Sequence, residues 1–299
     1  MPVTFASAET DNTNHGTATI AALYVQDQVQ LSQHWLAIVG LRYDSFEMDF
    51  RDRRGEGLDL ESSDDLLSPR GGLIYKPAEN VSLYASYSMT YVPRAGSQLS
   101  SLAPTNAALD PEEFENVEVG AKWDLNPALS LTAALFQLDR RNVAIPDPND
   151  TAVSILVDGQ RTEGFEFGVS GQVSESWSIQ GGYAYQDGRL TDKAGGTTLA
   201  QLPKHVASLW NRYDFTPAWG VGLGVVYQTE MFAAADNLVE LPGFTRVDAG
   251  VFYTPHERLR MQLNVENLLD ERYYPNAHNN NNITPGSPPA LRASVTASF

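Results

Sequence analysis

The sequence predicts an all-β protein, an antiparallel transmembrane β-barrel, and three observations support this prediction. Segments of about ten residues alternate between apolar and polar side chains, which gives each strand two unlike faces. Short turns and longer polar loops follow one another along the chain. Aromatic residues collect at both ends of the segments and not at their centres, as expected where a barrel meets the two surfaces of a membrane.

The alternation is clearest in residues 81–91, where every odd position is apolar or aromatic and every even position except Tyr84 is Ser or Thr. Residues 116–124 and 259–266 alternate in the same way, with charged side chains at several polar positions. In a soluble β-sandwich those charges would face water and the apolar face would form a core. In a membrane barrel the apolar face meets lipid instead.

Two sets of connections are expected on opposite edges of the sheet. Six tight turns are rich in Pro, Asn and Ser and lie at residues 32–34, 77–80, 126–128, 174–176, 216–218 and 254–258. Longer polar loops lie at residues 51–66, 93–112, 142–151, 191–202, 233–242 and 276–288. We count about thirteen strands beginning near Thr17, and tight turns opposite long loops are typical of an outer-membrane barrel.

The aromatic residues favour the barrel over a β-sandwich, in which they would lie at mid-strand in the core. One set flanks the tight turns: Trp35, Tyr75, Trp123, Trp177, Phe215, Trp219 and Tyr253. A second set lies toward the other strand ends: Tyr43, Tyr91, Tyr185 and Tyr227. Asp27 does not fit the pattern, because it falls in register with apolar positions.

The composition excludes several classes of protein. The 299 residues carry a net charge of -17, which argues against a nucleic-acid partner. The chain contains no Cys, so it has no disulfide framework. No stretch approaches the roughly 18–20 apolar residues of a membrane helix. Residues 1–16 are polar and lack a signal peptide. With an odd strand count, we expect them to be the remnant of an extracellular loop of a larger protein.

No enzyme, metal or cofactor site is expected. No two of the five His residues lie three or four positions apart, as a helical metal pair would require. Residues 146–150 lack the spaced ligands of a calcium loop. The glycines at 181–182 and 222–224 lie in predicted strands and precede no helix, so they do not form a phosphate loop.

The final segment, residues 290–299, is predicted to be a strand that ends the chain on an aromatic residue. It is similar to the C-terminal signal of bacterial outer-membrane barrels, which the barrel assembly machinery would recognise. Its apolar face carries Leu291, Ala293, Val295, Ala297 and Phe299.

Several segments, in order along the chain, resemble the C-terminal part of TonB-dependent siderophore receptors. They are Tyr24-Val-Gln-Asp-Gln28, Gly40-Leu-Arg-Tyr-Asp44, Ser68-Pro-Arg-Gly-Gly-Leu-Ile-Tyr75, Leu83-Tyr-Ala-Ser-Tyr-Ser88, Glu115-Asn-Val-Glu-Val-Gly120, Gly164-Phe-Glu166, Val265-Glu-Asn-Leu-Leu-Asp270 and the terminal Phe299. Residues 135–142 and 277–283 are similar to the branch that takes up ferric catecholate siderophores.

The resemblance implies a barrel of about 22 strands in the bacterial outer membrane, filled by an N-terminal plug. A TonB box engages the energising TonB complex in this family. Residues 1–299 would supply about the last thirteen strands, surrounded by outer-membrane lipid, without plug or TonB box. We therefore expect uptake of a ferric siderophore only from the full-length parent, to which this chain contributes barrel wall and ligand-capturing loops.

Two sets of functional residues follow. A ferric catecholate is anionic and aromatic, so cationic and aromatic residues of the extracellular loops would suit it. The candidates are Tyr91, Arg94, Arg140, Arg141, Phe232, Tyr274 and His278. An interfacial anchor or a salt-bridged strand end is the alternative role for each. Charged residues expected to face the lumen, and to form a network across strands, are Glu118, Lys122, Glu166, Arg212, Asp214, Arg246, Asp248, Arg260 and Glu266.

Two other interpretations remain open. A self-contained smaller porin or adhesin barrel would be favoured by an even strand count or by a signal sequence upstream. A soluble β-sandwich or carbohydrate-active enzyme would need paired carboxylates in a cleft, and it would leave the aromatic belts unexplained.

Overall fold

The structure is a computed structural model that describes residues 14–52, 59–93, 110–146, 154–191 and 197–299. The strands are β1 (Asn14–Gln30), β2 (Trp35–Asp52), β3 (Asp59–Ala78), β4 (Val81–Val92), β5 (Glu112–Asn126), β6 (Leu129–Pro146), β7 (Ser154–Ser174), β8 (Trp177–Leu190), β9 (His205–Asp214), β10 (Trp219–Gln228), β11 (Met231–Phe232), β12 (Glu240–Leu241), β13 (Phe244–His256), β14 (Leu259–Glu266), β15 (Asn276–Asn279), β16 (Asn282–Thr284) and β17 (Ala290–Ala297). Across these residues, no helix is long and apolar enough to cross a bilayer.

Thirteen of these strands form one antiparallel sheet, which confirms the predicted architecture. The order is β1 through β10, then β13, β14 and β17, so neighbours in the sheet follow one another along the chain. The remaining strands form two small hairpins, β11–β12 and β15–β16. Within the described chain, β1 and β17 are the two edges of the sheet. Because the number of strands is odd, both edges run from the long-loop side to the tight-turn side.

The tight turns lie on one edge of the sheet, as predicted. They span residues 31–34, 79–80, 127–128, 175–176, 215–218 and 257–258. The long connections, including both small hairpins, lie on the opposite edge. In an outer-membrane barrel the tight turns face the periplasm and the long loops face outward.

The two faces of the sheet differ sharply. Leu83, Ala121, Ala133 and Phe167 lie side by side on one face because they are paired in register across four strands. On this outward face Leu135 is 59% exposed, so the apolar side chains are not covered by a second sheet. This arrangement excludes a β-sandwich, in which that face would be buried. A membrane barrel presents such a face to lipid.

Several strands are much longer than a membrane crossing requires. β3 has 20 residues and β7 has 21, whereas about 9–11 residues cross the bilayer. The wall therefore rises well above the membrane on the long-loop side.

Three predicted boundaries were wrong, because the strands extend further than the sequence pattern indicated. Residues 14–16 belong to β1, and β3 and β6 extend into the predicted loops 51–66 and 142–151. Outside the bilayer neither face needs apolar side chains, as in the run Ser62-Ser-Asp-Asp65, so the alternating pattern that marks a strand is lost there.

The outward face also carries residues of the predicted aromatic belt near the tight turns, and some of them form pairs. The ring centroids of Trp35 and Tyr75 are 4.7 Å apart, and those of Trp219 and Tyr253 are 4.2 Å apart. Asp27 lies on the same face opposite Val39, and the described part of the structure gives no reason for a carboxylate on this apolar face.

The last strand continues this outward face. The residues of the predicted assembly signal within β17 are Leu291, Ala293, Val295 and Ala297, and they pair with apolar residues of β14. Phe299 follows the strand and is fully exposed. Recognition of this segment by assembly machinery stays a prediction.

Candidate functional site: the polar face and its loops

The polar face of the sheet holds the side chains that were predicted to face the lumen. All nine share this face: Glu118, Lys122, Glu166, Arg212, Asp214, Arg246, Asp248, Arg260 and Glu266. In a barrel whose apolar face meets lipid, this face lines the interior.

The charges on this face pair mostly along their own strand, and not across strands as expected. Arg212 contacts Asp214 at 2.9 Å, and Arg246 contacts Asp248 at 2.9 Å. Residues two apart in a strand share a face, which lets a guanidinium reach the carboxylate. The guanidinium of Arg212 also lies 4.2 Å from the ring centroid of Phe252. Among the described residues two pairs on this face do cross between strands: Arg292–Glu266 joins β17 to β14, and Arg140–Glu112 joins β6 to β5.

A polar cavity of about 700 Å³ lies on this face near the tight turns. Arg212, Asp214 and Arg260 line it, together with Glu175 of the β7–β8 turn. Both signs of charge are therefore available to a group that enters the interior from the periplasmic side. Among the described residues, no cluster of three or more His, Asp or Glu side chains is placed to hold a metal ion.

Arg140 occupies the long-loop end of the polar face. Its guanidinium donates hydrogen bonds to Glu112 on β5 and, at 3.4 Å, to the side-chain oxygen of Gln160 on β7. It also lies 5.2 Å from the ring centroid of Phe114. One cation and one aromatic ring are therefore held together where the interior opens outward.

Arg141 and Tyr91 lie on the opposite, outward face. Arg141 pairs with Glu113 at 2.7 Å and with Glu115 at 3.0 Å. The hydroxyl of Tyr91 contacts the sulfur of Met89 at 3.0 Å. Consecutive residues of a strand point to opposite faces, so the structure separates Arg141 from Arg140, and the sequence-based grouping of the two is corrected. Arg94 lies outside the described residues.

An ionic band continues on the outward face above the apolar region. Arg161 and Asp139 pair at 2.6 Å. Partial burial tends to raise the pKa of Asp139, but hydrogen bonds from Arg161 and Gln137 and the charges of Arg161 and Arg141 outweigh it, so this pKa lies below its ordinary value. On β8, the hydrogen bond from Arg189 likewise lowers the pKa of Asp187. These charges stay ionised at neutral pH.

Three of the long loops pack together into one unit, which we call the cap: residues 197–204, 229–243 and 276–284. Its apolar centre is formed by Met231, Ala233, Leu241 and Ala277, each at most 5% exposed. The sequence predicts these segments to be parts of separate polar loops. Apolar residues within otherwise polar loops, such as Ile283, were the available signal.

The cap contains two of the candidate ligand residues, Phe232 on β11 and the exposed His278 on β15. The exposed Tyr274 lies just before the cap, in the connection from β14. Phe232 and His278, which are 46 positions apart in sequence, are thus brought into one folded unit. Of the candidates on the described strands β4 and β6, Arg140 lies on the polar face, whereas Tyr91 and Arg141 do not.

The connection from β14 to the cap is held by a set of contacts that we call the anchor: Arg246, Asp248, Asn267, Glu271, Tyr273 and Ser287. Asn267 is 1% exposed and has a φ of 54°. Its amide nitrogen donates to the carbonyl oxygens of Glu271 at 2.9 Å and Ser287 at 3.0 Å, while its amide oxygen accepts from the N–H of Glu271 at 2.8 Å. Its own N–H donates to Asp248 at 2.8 Å.

Tyr273 completes the anchor on the polar face. Its hydroxyl accepts a hydrogen bond from Arg246 at 3.1 Å, and its ring packs 4.5 Å from that of Phe244. A side chain at Gly286 would overlap the Tyr273 ring, because an added Cβ would lie 2.3 Å from it. The segment Val265-Glu-Asn-Leu-Leu-Asp270 therefore has a structural role that periodicity does not reveal.

The comparisons with known proteins agree with this architecture. The sequence matches the family described as TonB dependent receptor-like, beta-barrel over residues 2–268. The metal-pseudopaline receptor CntO of Pseudomonas aeruginosa is 33% identical over 303 residues, which cover 97% of this chain and 42% of the relative. The probable TonB-dependent siderophore receptor PiuA of Acinetobacter baumannii is 30% identical over 286 residues, which cover 88% of this chain and 38% of that protein.

Solved structures show the same wall. The crystal structure of PiuA matches with a TM-score of 0.84 at 28% identity, covering 95% of this chain and 44% of that one. The closed form of the ferric-catecholate import receptor Fiu of Escherichia coli matches with a TM-score of 0.84 at 25% identity, covering 96% and 45%.

The chain spans between 38% and 42% of the length of the two curated relatives described above. Proteins of this kind are transport receptors and not enzymes. The chain belongs to the TonB-dependent receptor family, and its sheet is part of the β-barrel with which these receptors span the outer membrane of Gram-negative bacteria.

Proposed function

We propose that the protein containing this chain is a receptor for uptake of a ferric siderophore of the catecholate type. The observation that carries the proposal is the structural match to PiuA and Fiu over 95% and 96% of this chain, each at a TM-score of 0.84. The chain contributes barrel wall and extracellular loops. The energy for transport would come from the TonB complex through parts of the receptor outside this chain.

The arrangement at the long-loop end supports an anionic aromatic ligand. Arg140 supplies a cation beside the ring of Phe114, and the cap presents Phe232 and His278, with Tyr274 beside it. A guanidinium attracts the negative charge of the complex, and flat rings stack on catechol. We leave Tyr91 and Arg141 out of the proposed site, because a ligand in the interior would meet the other face.

The polar cavity near the tight turns supports contact with a plug. Arg260 and Arg212 line it beside Glu175, so a plug segment with complementary charges would be held there. Comparing the thermal stability of the barrel with and without a co-expressed plug tests this contact. Equal stability would contradict it.

The test of ligand class is uptake of radiolabelled iron by a strain that lacks its own siderophore receptors and expresses the full-length parent. We expect ferric catecholate to support TonB-dependent uptake, and Arg140→Gln to reduce ligand affinity about tenfold through loss of one charge-assisted contact. Outer-membrane localisation of both proteins is the control. Absence of catecholate uptake by a correctly localised receptor would overturn the proposal.

A metallophore of the pseudopaline type is the second candidate. It is favoured by the 33% identity to CntO, a metal-pseudopaline receptor, over 97% of this chain. The same strain supplied with metal-pseudopaline decides between the two ligand classes. Uptake of that complex, without uptake of ferric catecholate, would select the second candidate.

A further inference from the structure

We propose that Gln201 is a positioning residue that holds the three loops of the cap in one arrangement and so sets the relative places of Phe232 and His278. This proposal rests on the proposed function for its ligand, but its structural half can be tested without one. Gln201 lies in the connection between β8 and β9 and is not among the residues that the sequence singled out. Its side chain is a positioning group and need not touch the ligand.

Gln201 joins two other loops through two separate groups. Its backbone N–H donates to the carbonyl oxygen of Phe232 at 2.8 Å. Its side-chain oxygen accepts a hydrogen bond from the N–H of Ala277 at 3.2 Å. Ala277 directly precedes His278 and is 5% exposed. Gln201 therefore forms hydrogen bonds with the backbone of Phe232 and with the backbone of Ala277, the neighbour of His278.

The backbone of Gln201 shows that this placement is imposed by its surroundings. Its φ is 56°, in the left-handed region that residues other than Gly rarely adopt. Such a conformation persists where neighbouring contacts compensate for it. The two hydrogen bonds to the other loops are contacts of that kind.

The remaining contacts connect the loops pairwise. The amide nitrogen of Asn237 donates to the carbonyl oxygen of Thr198 at 3.0 Å, and that of Asn280 donates to Asp236 at 2.7 Å. The apolar centre of the cap joins residues of the second and third loops. Each loop is thus bonded to both others, and a shift of one loop either moves the whole cap or breaks these bonds.

A matched set of variants isolates the acceptor of Gln201. Gln201→Met keeps the length of the side chain but removes its oxygen, which leaves the buried N–H of Ala277 without its acceptor. Gln201→Glu keeps an oxygen at the same reach and should restore the bond. Asn281→Met, at an exposed position of the β15–β16 turn, controls for the introduction of a methionine into the cap.

The first measurement is hydrogen exchange of the full-length receptor without ligand. We expect Gln201→Met to accelerate exchange about tenfold in residues 229–243 and 276–284, with the strands unchanged, since an unpaired buried N–H favours opening by about this factor. Gln201→Glu and Asn281→Met should match the unsubstituted protein. Unchanged exchange in the cap of Gln201→Met would overturn the proposal.

The second measurement is the Kd of ferric catecholate for the same four proteins. We expect a rise of about tenfold in Gln201→Met and recovery in Gln201→Glu, because fewer molecules then hold Phe232 and His278 in place. Faster exchange with an unchanged Kd would overturn the link to the ligand. If the unsubstituted protein binds no catecholate, the proposed function and this link fail together, whereas exchange still decides whether Gln201 holds the cap.

Discussion

Replacement of Asn267 by Ala should release the connection between β14 and the cap while leaving the barrel wall folded. The side chain of Asn267 makes three hydrogen bonds to backbone groups of Glu271 and Ser287, each contributing about 1 kcal/mol. Its φ of 54° adds a further term, because Ala in the left-handed region costs roughly 1 kcal/mol. Together these terms predict a loss of roughly 4 kcal/mol in the free energy of opening this segment.

The assay is hydrogen exchange of the peptides that cover residues 267–289 in the full-length receptor. A change of roughly 4 kcal/mol corresponds to nearly a thousandfold faster exchange. Peptides from the long strands β6 and β7 should exchange at unchanged rates, because they lie in a different part of the sheet.

Asp270→Ala is the matched control. Asp270 is exposed and also has a φ of 54°. This variant therefore loses a residue that favours the left-handed conformation, but it loses no buried side-chain hydrogen bonds. We expect its effect to be about 1 kcal/mol, or less than tenfold in exchange. A similar acceleration in both variants, or unchanged exchange in Asn267→Ala, would refute the role assigned to the Asn267 side chain.

Three further predictions concern the wall. Gly171→Ala should lower the refolding yield and reduce the free energy of unfolding by at least about 2 kcal/mol. The reason is that φ of Gly171 is 135° and an added Cβ would lie 1.9 Å from the carbonyl oxygen of Ala128. The control Gly72→Ala should refold normally, because its Cβ would lie 3.6 Å from the nearest atom. Leu135→Arg on the outward face should reduce the free energy of unfolding in lipid bilayers by about 2–4 kcal/mol. Ser208→Arg, on the polar face, is the control. If urea titrations show the same stability for both variants, Leu135 does not face lipid. The lowered pKa of Asp139 means that its pairing with Arg161 stabilises the fold above the unfolded carboxyl pKa of about 3.9 and is lost as pH falls through the lower folded value. Arg161→Gln should therefore reduce stability by at most about 1 kcal/mol at pH 6, with the difference vanishing near pH 2, and a larger deficit at the acid pH would show that the pairing is not the cause.

The strands of the wall were predictable because each is marked by a pattern of neighbouring residues within its own segment. Alternation in residues 81–91 identifies both a strand and its two faces, and the register confirms the faces assigned to Leu83 and Lys122. The predictions were wrong where that alternation has no physical cause, as in the part of β3 that begins at Asp59. There the strand rises beyond the membrane, so its outward face carries polar residues such as Glu61 and Asp65, while Leu60 packs into a small apolar cluster on the inner face.

The candidate site was predicted only in part. Adjacent cations were treated as one group, but the strand places Arg140 on the polar face and Arg141 on the outward face. Phe232 and His278 were selected from separate loops. Apolar residues such as Ile283 indicate buried contacts in these loops, but they do not indicate which loops pack against each other. Gln201 was missed because an exposed Gln in a polar loop carries no sequence signal.

The sequence by itself determined the strand number, the tight-turn edge and the two faces of the wall, because each depends on neighbours along one strand or turn. Only the tertiary structure decided how the long loops combine, since the bond from Ala277 to Gln201 joins residues 76 positions apart. No periodicity links such distant positions. Their meeting depends on the order in which the strands pair, which places the ends of β8, β10 and β14 close enough for their loops to form one cap.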